Sequence, residues 1–375
     1  MKKAWKRVLF TCGGTAGHVN PALALAQRIG EECPDAEFLF VGAERGLERD
    51  LLEKAGYPFR TVHISNFHRS FAIKELRHNL VSVFNLARSP AEAKRILLEF
   101  RPEAVIGTGG YASYPAVKAA AKLGIPTAVH ESNMIPGLTT KLLEPVVDRI
   151  MVGFEACRAN YKHPEKVIVT GTPVRGDFFT RTKAEAKREL GVDDGKPLVV
   201  SFWGSLGASG MNRQMADFIA LEAVRTPFHH IHSAGKAGFP MIQALLKEKG
   251  VDASSVRLVE YLYNMPVVMR AADLVISRAG ASTLSELTAL GVPAVLVPSP
   301  YVTNHHQEKN ARALEEAGGA VVLTEPECSG QLLFKTVSDV LRDPARLERM
   351  SAAMASLGIR DATERILETV ESIEK

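Results

Sequence analysis

The chain of 375 residues lacks any run of about 18 apolar residues, so no helix of it is expected to span a membrane. Cysteine is scarce: Cys12, Cys33, Cys157 and Cys328 stand far apart, without the pair spacing of a disulfide frame or a zinc site. The start, Met1 to Arg7, is basic, but only a short strand pattern follows, which argues against a secretory signal. No G-x-x-x-x-G-K-[ST], H-E-x-x-H or G-x-S-x-G occurs, so ATPase, zinc-protease and serine-hydrolase readings lose their main support. No D-x-D ends an apolar strand; Asp193-Asp194 lies in a glycine-flanked loop and reads as a turn. A divalent cation on a nucleotide diphosphate is therefore not expected. Net charge is only +4, mild enough to suit an anionic substrate or membrane face better than extended nucleic-acid binding.

What is present is one design written twice. With 46% hydrophobic and 23% charged residues the chain is globular, and its length suggests two domains. Val8-Leu9-Phe10 runs into Gly13-Gly14-Thr15-Ala16-Gly17-His18 and a helix pattern from Pro21 to Ile29. Leu198 to Phe202 runs into Gly204-Ser205-Leu206-Gly207 and a helix pattern from Asn212 to Val224. A second pair repeats this: Ala104-Val105-Ile106 leads to Gly107-Thr108-Gly109-Gly110, and Leu274-Val275-Ile276 leads to Arg278-Ala279-Gly280-Ala281. Strands alternating with helices predict an α/β protein of two doubly wound, Rossmann-like domains with parallel sheets. The boundaries expected are 1–173 for the first domain and 174–354 for the second, with a C-terminal helix near 355–375 packing back on the first. Ligands in such sheets sit at the carboxyl ends of the strands, where glycine turns expose N–H groups and helix N-termini add positive charge. Something phosphorylated held between the halves is the natural expectation.

Several side chains stand at these ends. Ser282 and Thr283 offer hydroxyls at a helix start, with Ser282 equally readable as a plain N-cap. Glu286 lies one turn beyond Ser282 and could accept from a vicinal diol, or simply meet the helix dipole. Arg175 sits at the hinge as a phosphate cation or a surface ion pair. His18 ends the first glycine loop as a general base or a structural cap. Glu131 and Asn133 should reach the cleft rim. His230 and His232 share a strand face, which leaves a metal pair open but without a third ligand.

Taken as an ordered set, these motifs resemble the GT-B glycosyltransferases, and among them the peptidoglycan enzymes that move N-acetylglucosamine from UDP-GlcNAc to lipid I, giving lipid II. The motifs are Gly13 to His18, Gly109-Gly110-Tyr111, His130 to Asn133, Pro173-Val174-Arg175, Gly204 to Ala208, Arg278 to Glu286 and Asn304 to Ala311, and the resemblance runs over essentially the whole chain. The resemblance implies an inverting, metal-independent hexosyltransferase without a cofactor. It implies a donor site of Ser205, Leu262 (backbone to uracil), Ala281, Ser282, Thr283, Leu284, Ser285, Glu286 and Gln307 (to the sugar). Thr15, Ala16, Gly17, Asn133 and Arg175 would complete it. His18, helped by Asn133, would be the base; Gly14, Gly17, Gly109, Gly110 and Tyr111 would face the acceptor pyrophosphate. Ala16 and Leu206 depart from the glycine and glutamine of many members. A glycolipid glycosyltransferase, a UDP-GlcNAc epimerase and a non-catalytic sugar-nucleotide sensor are the rival readings.

Phe67 to Arg88 breaks the α/β pattern, with apolar residues interleaved with basic ones. Such a segment can be a helix packed on its own sheet or a face that meets anionic lipid. The resemblance implies a peripheral enzyme at the cytoplasmic face of the cell membrane, working beside other wall-building proteins, with Phe71, Lys74, Arg77, Leu80 and Phe84 as the docking patch. Charge reversal at Arg69, Lys74 and Arg77 is expected to weaken binding to anionic liposomes while leaving UDP-GlcNAc affinity alone; unchanged liposome binding would refute the role.

Overall fold

The computed structural model describes residues 5–44, 47–64, 88–204, 208–225, 228–252, 256–302 and 305–373. Ser205 and the 67–87 part of the basic segment, with Phe71, Lys74, Arg77, Leu80 and Phe84, lie outside them. The chain divides into two compact units: Met1–Val174 with Ile359–Lys375, and Arg175–Gly358.

The first unit has strands β1 (Arg7–Thr11), β2 (Glu37–Ala43), β3 (Phe59–Val62), β4 (Ala104–Gly107), β5 (Thr127–Glu131), β6 (Arg149–Val152) and β7 (Val167–Val169). All pair in parallel, in the order β3-β2-β1-β4-β5-β6-β7. Helices α1 (Ala16–Glu32), α2 (Leu47–Lys54), α3 (88–100), α4 (Ser113–Lys122) and α5 (Leu138–Leu143) follow the strands. The order reverses between β1 and β4, where Thr11 pairs with Gly107. This is the crevice position of doubly wound sheets, and both glycine turns of this unit leave the sheet there.

Helix α1 begins at Ala16, five residues before the expected Pro21. Its first turn carries N–H groups that need no helical acceptor, and Pro21 loses just one further bond. His18 is consequently on the helix rather than at the end of the loop. Val19, Ala22, Leu25, Ala26 and Ile29 recur at helical spacing and bury fully against Val8, Phe10 and Phe40. The same core takes Ile366, Leu367 and Val370 from α14 (Ala362–Glu371), each such burial stabilising by roughly 1.5–3 kcal/mol. The returning segment crosses close: a Cβ on Gly171 would lie 2.7 Å from Cβ of Ile359.

The second unit repeats the plan with β8 (Leu198–Phe202), β9 (His229–Ser233), β10 (Val256–Val259), β11 (Leu274–Ser277), β12 (Ala294–Leu296) and β13 (Ala320–Val322), in the order β10-β9-β8-β11-β12-β13, again all parallel. Its helices are α6 (Lys183–Leu190), α7 (Ser209–Arg225), α8 (Phe239–Glu248), α9 (Met265–Ala271), α10 (Ala281–Leu290), α11 (His306–Glu316), α12 (Gly330–Leu341) and α13 (Pro344–Leu357). The reversal falls between β8 and β11, where Phe202 pairs with Ser277; Gly204 and Gly280 follow directly.

Candidate functional site

In the first unit the turns after β1 and β4 touch. A Cβ on Gly110, whose φ is 80°, would lie 2.0 Å from the Gly13 carbonyl oxygen, and one on Gly13 would lie 2.6 Å from Ala112 Cβ. Glycine is required at both positions by close approach, and at Gly110 by conformation as well. The Gly13 carbonyl accepts from His18 Nδ1 at 2.8 Å. A carbonyl can only accept, so Nδ1 carries the proton and, in the neutral ring, Nε2 carries the lone pair. That nitrogen sits against Gly109: a Cβ there (φ 111°) would be 3.0 Å from Nε2 and 2.6 Å from Cδ2. Thr108 Oγ1 donates to the His18 carbonyl at 2.6 Å, tying the second turn to the first turn of α1.

The amides divide into committed and uncommitted. Gly14 N–H, expected to face an anion, donates instead to Glu48 Oε2 (3.2 Å), and Glu48 Oε1 accepts Ala43 N–H (3.2 Å). Glu48 is completely buried and braces the turn; nothing in the sequence pattern marked it, because it lies on α2. Among the described residues the N–H groups of Ala16, Gly17, Gly109 and Gly110 donate to nothing. Thr15 is exposed, and Tyr111 is half-buried, its hydroxyl pKa raised by burial and by Glu48. Glu131 is buried rather than at a rim: it accepts from Asn133 N (3.2 Å), Asn133 Nδ2 (3.1 Å), Gly137 N (2.9 Å) and Thr140 Oγ1 (2.8 Å). It thereby orients the half-buried Asn133 amide.

In the second unit, α10 starts on Gly280, which is its N-cap without a side-chain bond. Ser282 is thus inside the first turn, not the cap. Ala281, Ser282 and Thr283 present the unmatched amides of a helix start, with two hydroxyls and no acid among them. Leu284 and Ser285 face inward, Ser285 Oγ donating to the Ala281 carbonyl at 3.0 Å. Glu286 follows one turn on. Burial pushes its carboxyl up to about 7; Arg175 opposes this and Asp177 adds to it. Arg175 is exposed, 3.4 Å from Asp177 and 5.7 Å above the Phe178 ring.

Gln307 Oε1 accepts Ser299 N–H at 2.9 Å, which leaves its NH2 as the outward donor. Asn310, buried on α11, donates to the Ala279 carbonyl at 3.3 Å and ties that helix to the turn before α10. Leu262 is buried beside a cavity of about 300 Å3 lined also by Ile231, Arg257, Val259 and Tyr261. A larger cavity of about 600 Å3 lies elsewhere, at the amino ends of β2 and β3 in the first unit, and the glycine turns after β1 and β4 do not line it.

His230 and His232 are not an open metal pair. Ser201 Oγ lies between them, 2.7 Å from His230 Nε2 and 2.6 Å from His232 Nδ1, and His230 Nδ1 meets Glu222 at 2.7 Å. All four are buried in the second unit's interior, and burial, with His230 adding, drops the His232 pKa to about 3.

Gly110→Ala is expected to cost about 3 kcal/mol, from strain plus collision with Gly13. Gly124→Ala, equally left-handed (φ 72°) but facing open space, should cost about 1 kcal/mol. Urea denaturation of both variants reads the difference; equal losses would contradict the close packing of the two turns.

The glycosyltransferase family 28 N-terminal domain matches residues 8–152, and the family 28 C-terminal domain matches residues 198–366. The chain is 40% identical to the UDP-N-acetylglucosamine--N-acetylmuramyl-(pentapeptide) pyrophosphoryl-undecaprenol N-acetylglucosamine transferase of Acetivibrio thermocellus, over 98% of both chains. It is similar to the crystal structure of Acinetobacter baumannii MurG, with a TM-score of 0.78 and 25% identity over 98% of this chain and 100% of that one. The UDP-GlcNAc 2-epimerase of Neisseria meningitidis shares the fold alone: TM-score 0.63 at 16% identity, over 97% of this chain and 99% of that one. The chain belongs to glycosyltransferase family 28 and, within it, to the MurG family of N-acetylglucosamine transferases.

Proposed function

We infer that the protein transfers N-acetylglucosamine from UDP-N-acetylglucosamine to the N-acetylmuramyl sugar of pentapeptide-bearing pyrophosphoryl-undecaprenol, forming lipid II. The relation that carries this inference runs over the full chain, through both domains, to enzymes named for that reaction. It favours transfer over epimerisation, for which only the fold speaks.

The roles of individual residues follow from their chemistry. The muramyl 4-hydroxyl attacks the anomeric carbon of the donor sugar from the face opposite UDP, with inversion. His18 takes the hydroxyl proton on Nε2, because Nδ1–H is already engaged by the Gly13 carbonyl, which also steadies the imidazolium that forms. Gly17, Gly109 and Gly110 offer their amides to the acceptor pyrophosphate; Gly14 is left out, its N–H being held by Glu48. On the donor side, the first-turn amides and hydroxyls of Ala281, Ser282 and Thr283, with Arg175, meet the negative charge that grows on the departing diphosphate. Glu286 accepts from the ribose hydroxyls, Leu262 offers its backbone to uracil and the Gln307 NH2 reaches the sugar. The acceptor is lipid-linked, so the enzyme works at a membrane surface, on the cytoplasmic face by this reading. Among the described residues no helix is long and apolar enough to cross a membrane.

UDP release from UDP-GlcNAc in the presence of EDTA should depend on a short-chain lipid I analogue and yield a β-1,4 disaccharide. Release without that dependence, or an epimer as product, would overturn the reading.

The Glu286 carboxyl gives a second prediction. Its ionised form can accept from both ribose hydroxyls on charged oxygens, whereas protonation turns one oxygen into a donor and weakens that hold. With a pKa of about 7, UDP-GlcNAc affinity should fall about tenfold from pH 8 to pH 6. Glu286→Gln should bind more weakly at pH 8 and lose this dependence. Calorimetric titration checks both; a flat wild-type profile would contradict the assignment.

A further inference from the structure

Arg278 directly follows β11 and stands two residues before Gly280, the cap of α10. A guanidinium so close to a turn proposed to hold a diphosphate could reach out to it. Instead it is turned inward and is only 9% exposed. Nη1 donates to the Val297 carbonyl at 3.0 Å, just past β12. Nη2 stands 2.6 Å from Glu325 Oε2, beyond β13, as a charge pair out of line for a hydrogen bond. Cζ lies 6.0 Å from the ring centroid of Trp203, the residue that follows β8. One side chain therefore reaches the carboxyl ends of four strands, β8, β11, β12 and β13. The Glu325 carboxylate closes on α7 as well, since a Cβ on Gly210 would lie 3.5 Å from Oε1.

The register of β8 against β11, with Phe202 opposite Ser277, sets Trp203 and Arg278 side by side. Each is followed at once by a turn of the donor side: Gly204 (φ 84°) after Trp203, and Ala279-Gly280 after Arg278. A nearly buried guanidinium is stable only with its charge matched and its donors used. The partners that satisfy Arg278 are the ends whose relative position shapes the donor site. Shifting any one of them unpairs the charge.

We propose that Arg278 is a positioning residue for the donor. With Glu325 and Trp203 it holds the Gly204 turn and the first turn of α10 at one spacing, and Glu325 keeps its charge off the phosphates. This rests on the donor reading above.

The test is UDP-GlcNAc titration together with steady-state kinetics on the wild-type chain and on Glu325→Gln, Arg278→Lys and Trp203→Leu. Glu325→Gln and Arg278→Lys should each raise the donor Kd and KM about tenfold, equivalent to about 1.4 kcal/mol, with the KM for a short-chain lipid I analogue unchanged. Trp203→Leu keeps an apolar group but no π face and should cost about threefold; it supplies the reading if loss of either charged group prevents folding. Tighter donor binding by Glu325→Gln would overturn the proposal, marking Arg278 as a phosphate ligand that Glu325 restrains. Unchanged donor affinity in the folded variants, or a fall in kcat with both KM values unmoved, would overturn it in favour of a purely structural clasp. Absence of UDP-GlcNAc binding by the wild-type chain would overturn the donor reading itself, and this inference with it.

Discussion

The hydrogen bond from His18 Nδ1 to the Gly13 carbonyl depends on everything packed around that peptide and in turn fixes the chemistry of the ring. The carbonyl is approached from the far side by Gly110, at a distance that no side chain would permit. Behind it, Glu48 takes the next amide, that of Gly14, and so decides which face of the turn looks outward. The buried carboxylate thereby withdraws one N–H from the supply available to an anion while stiffening the turn that supplies the rest. This trade still leaves the amides of Ala16, Gly17, Gly109 and Gly110 uncommitted among the described residues.

The second unit reaches a comparable result by other means. Its turns rely on a helix start with no side chain capping it, so the first-turn amides of α10 remain unmatched. The charges there are those of Arg175, Asp177 and Glu286, with burial raising the Glu286 carboxyl to a pKa of about 7. The stiffness comes from beneath, where Asn310 holds the Ala279 carbonyl and Arg278 holds the strand ends. In both units, polar side chains spent on the backbone prepare other backbone groups to meet a ligand.

The sequence made the doubly wound architecture legible because strands alternate with helices throughout, and because β1, β4, β8 and β11 are short apolar runs leading into two pairs of glycine turns that recur in the same order. It also pointed to His18 and Glu286 by their place after those strands, and to Gln307 through the family resemblance. What it could not give is which polar groups are already used. Glu48 lies 34 positions from Gly14, and Arg278 lies 47 from Glu325, so neither pairing leaves a local spacing to read. Glu131 looked like a rim residue since it ends a strand, but the loop it precedes folds back and fills all its acceptor sites. Pro21 looked like a helix start because the apolar periodicity begins there; the helix runs through it, and His18 moves onto the first turn as a result.

The account turns on the proton of His18. Nitrogen-15 NMR of histidine-labelled protein at pH 8, with the His18→Gln variant used to assign the signal, reads it directly. The account predicts the tautomer that carries its proton on Nδ1 and its lone pair on Nε2. A ring protonated on Nε2 would place the lone pair against the Gly13 carbonyl, break the bond described here and remove His18 as the base.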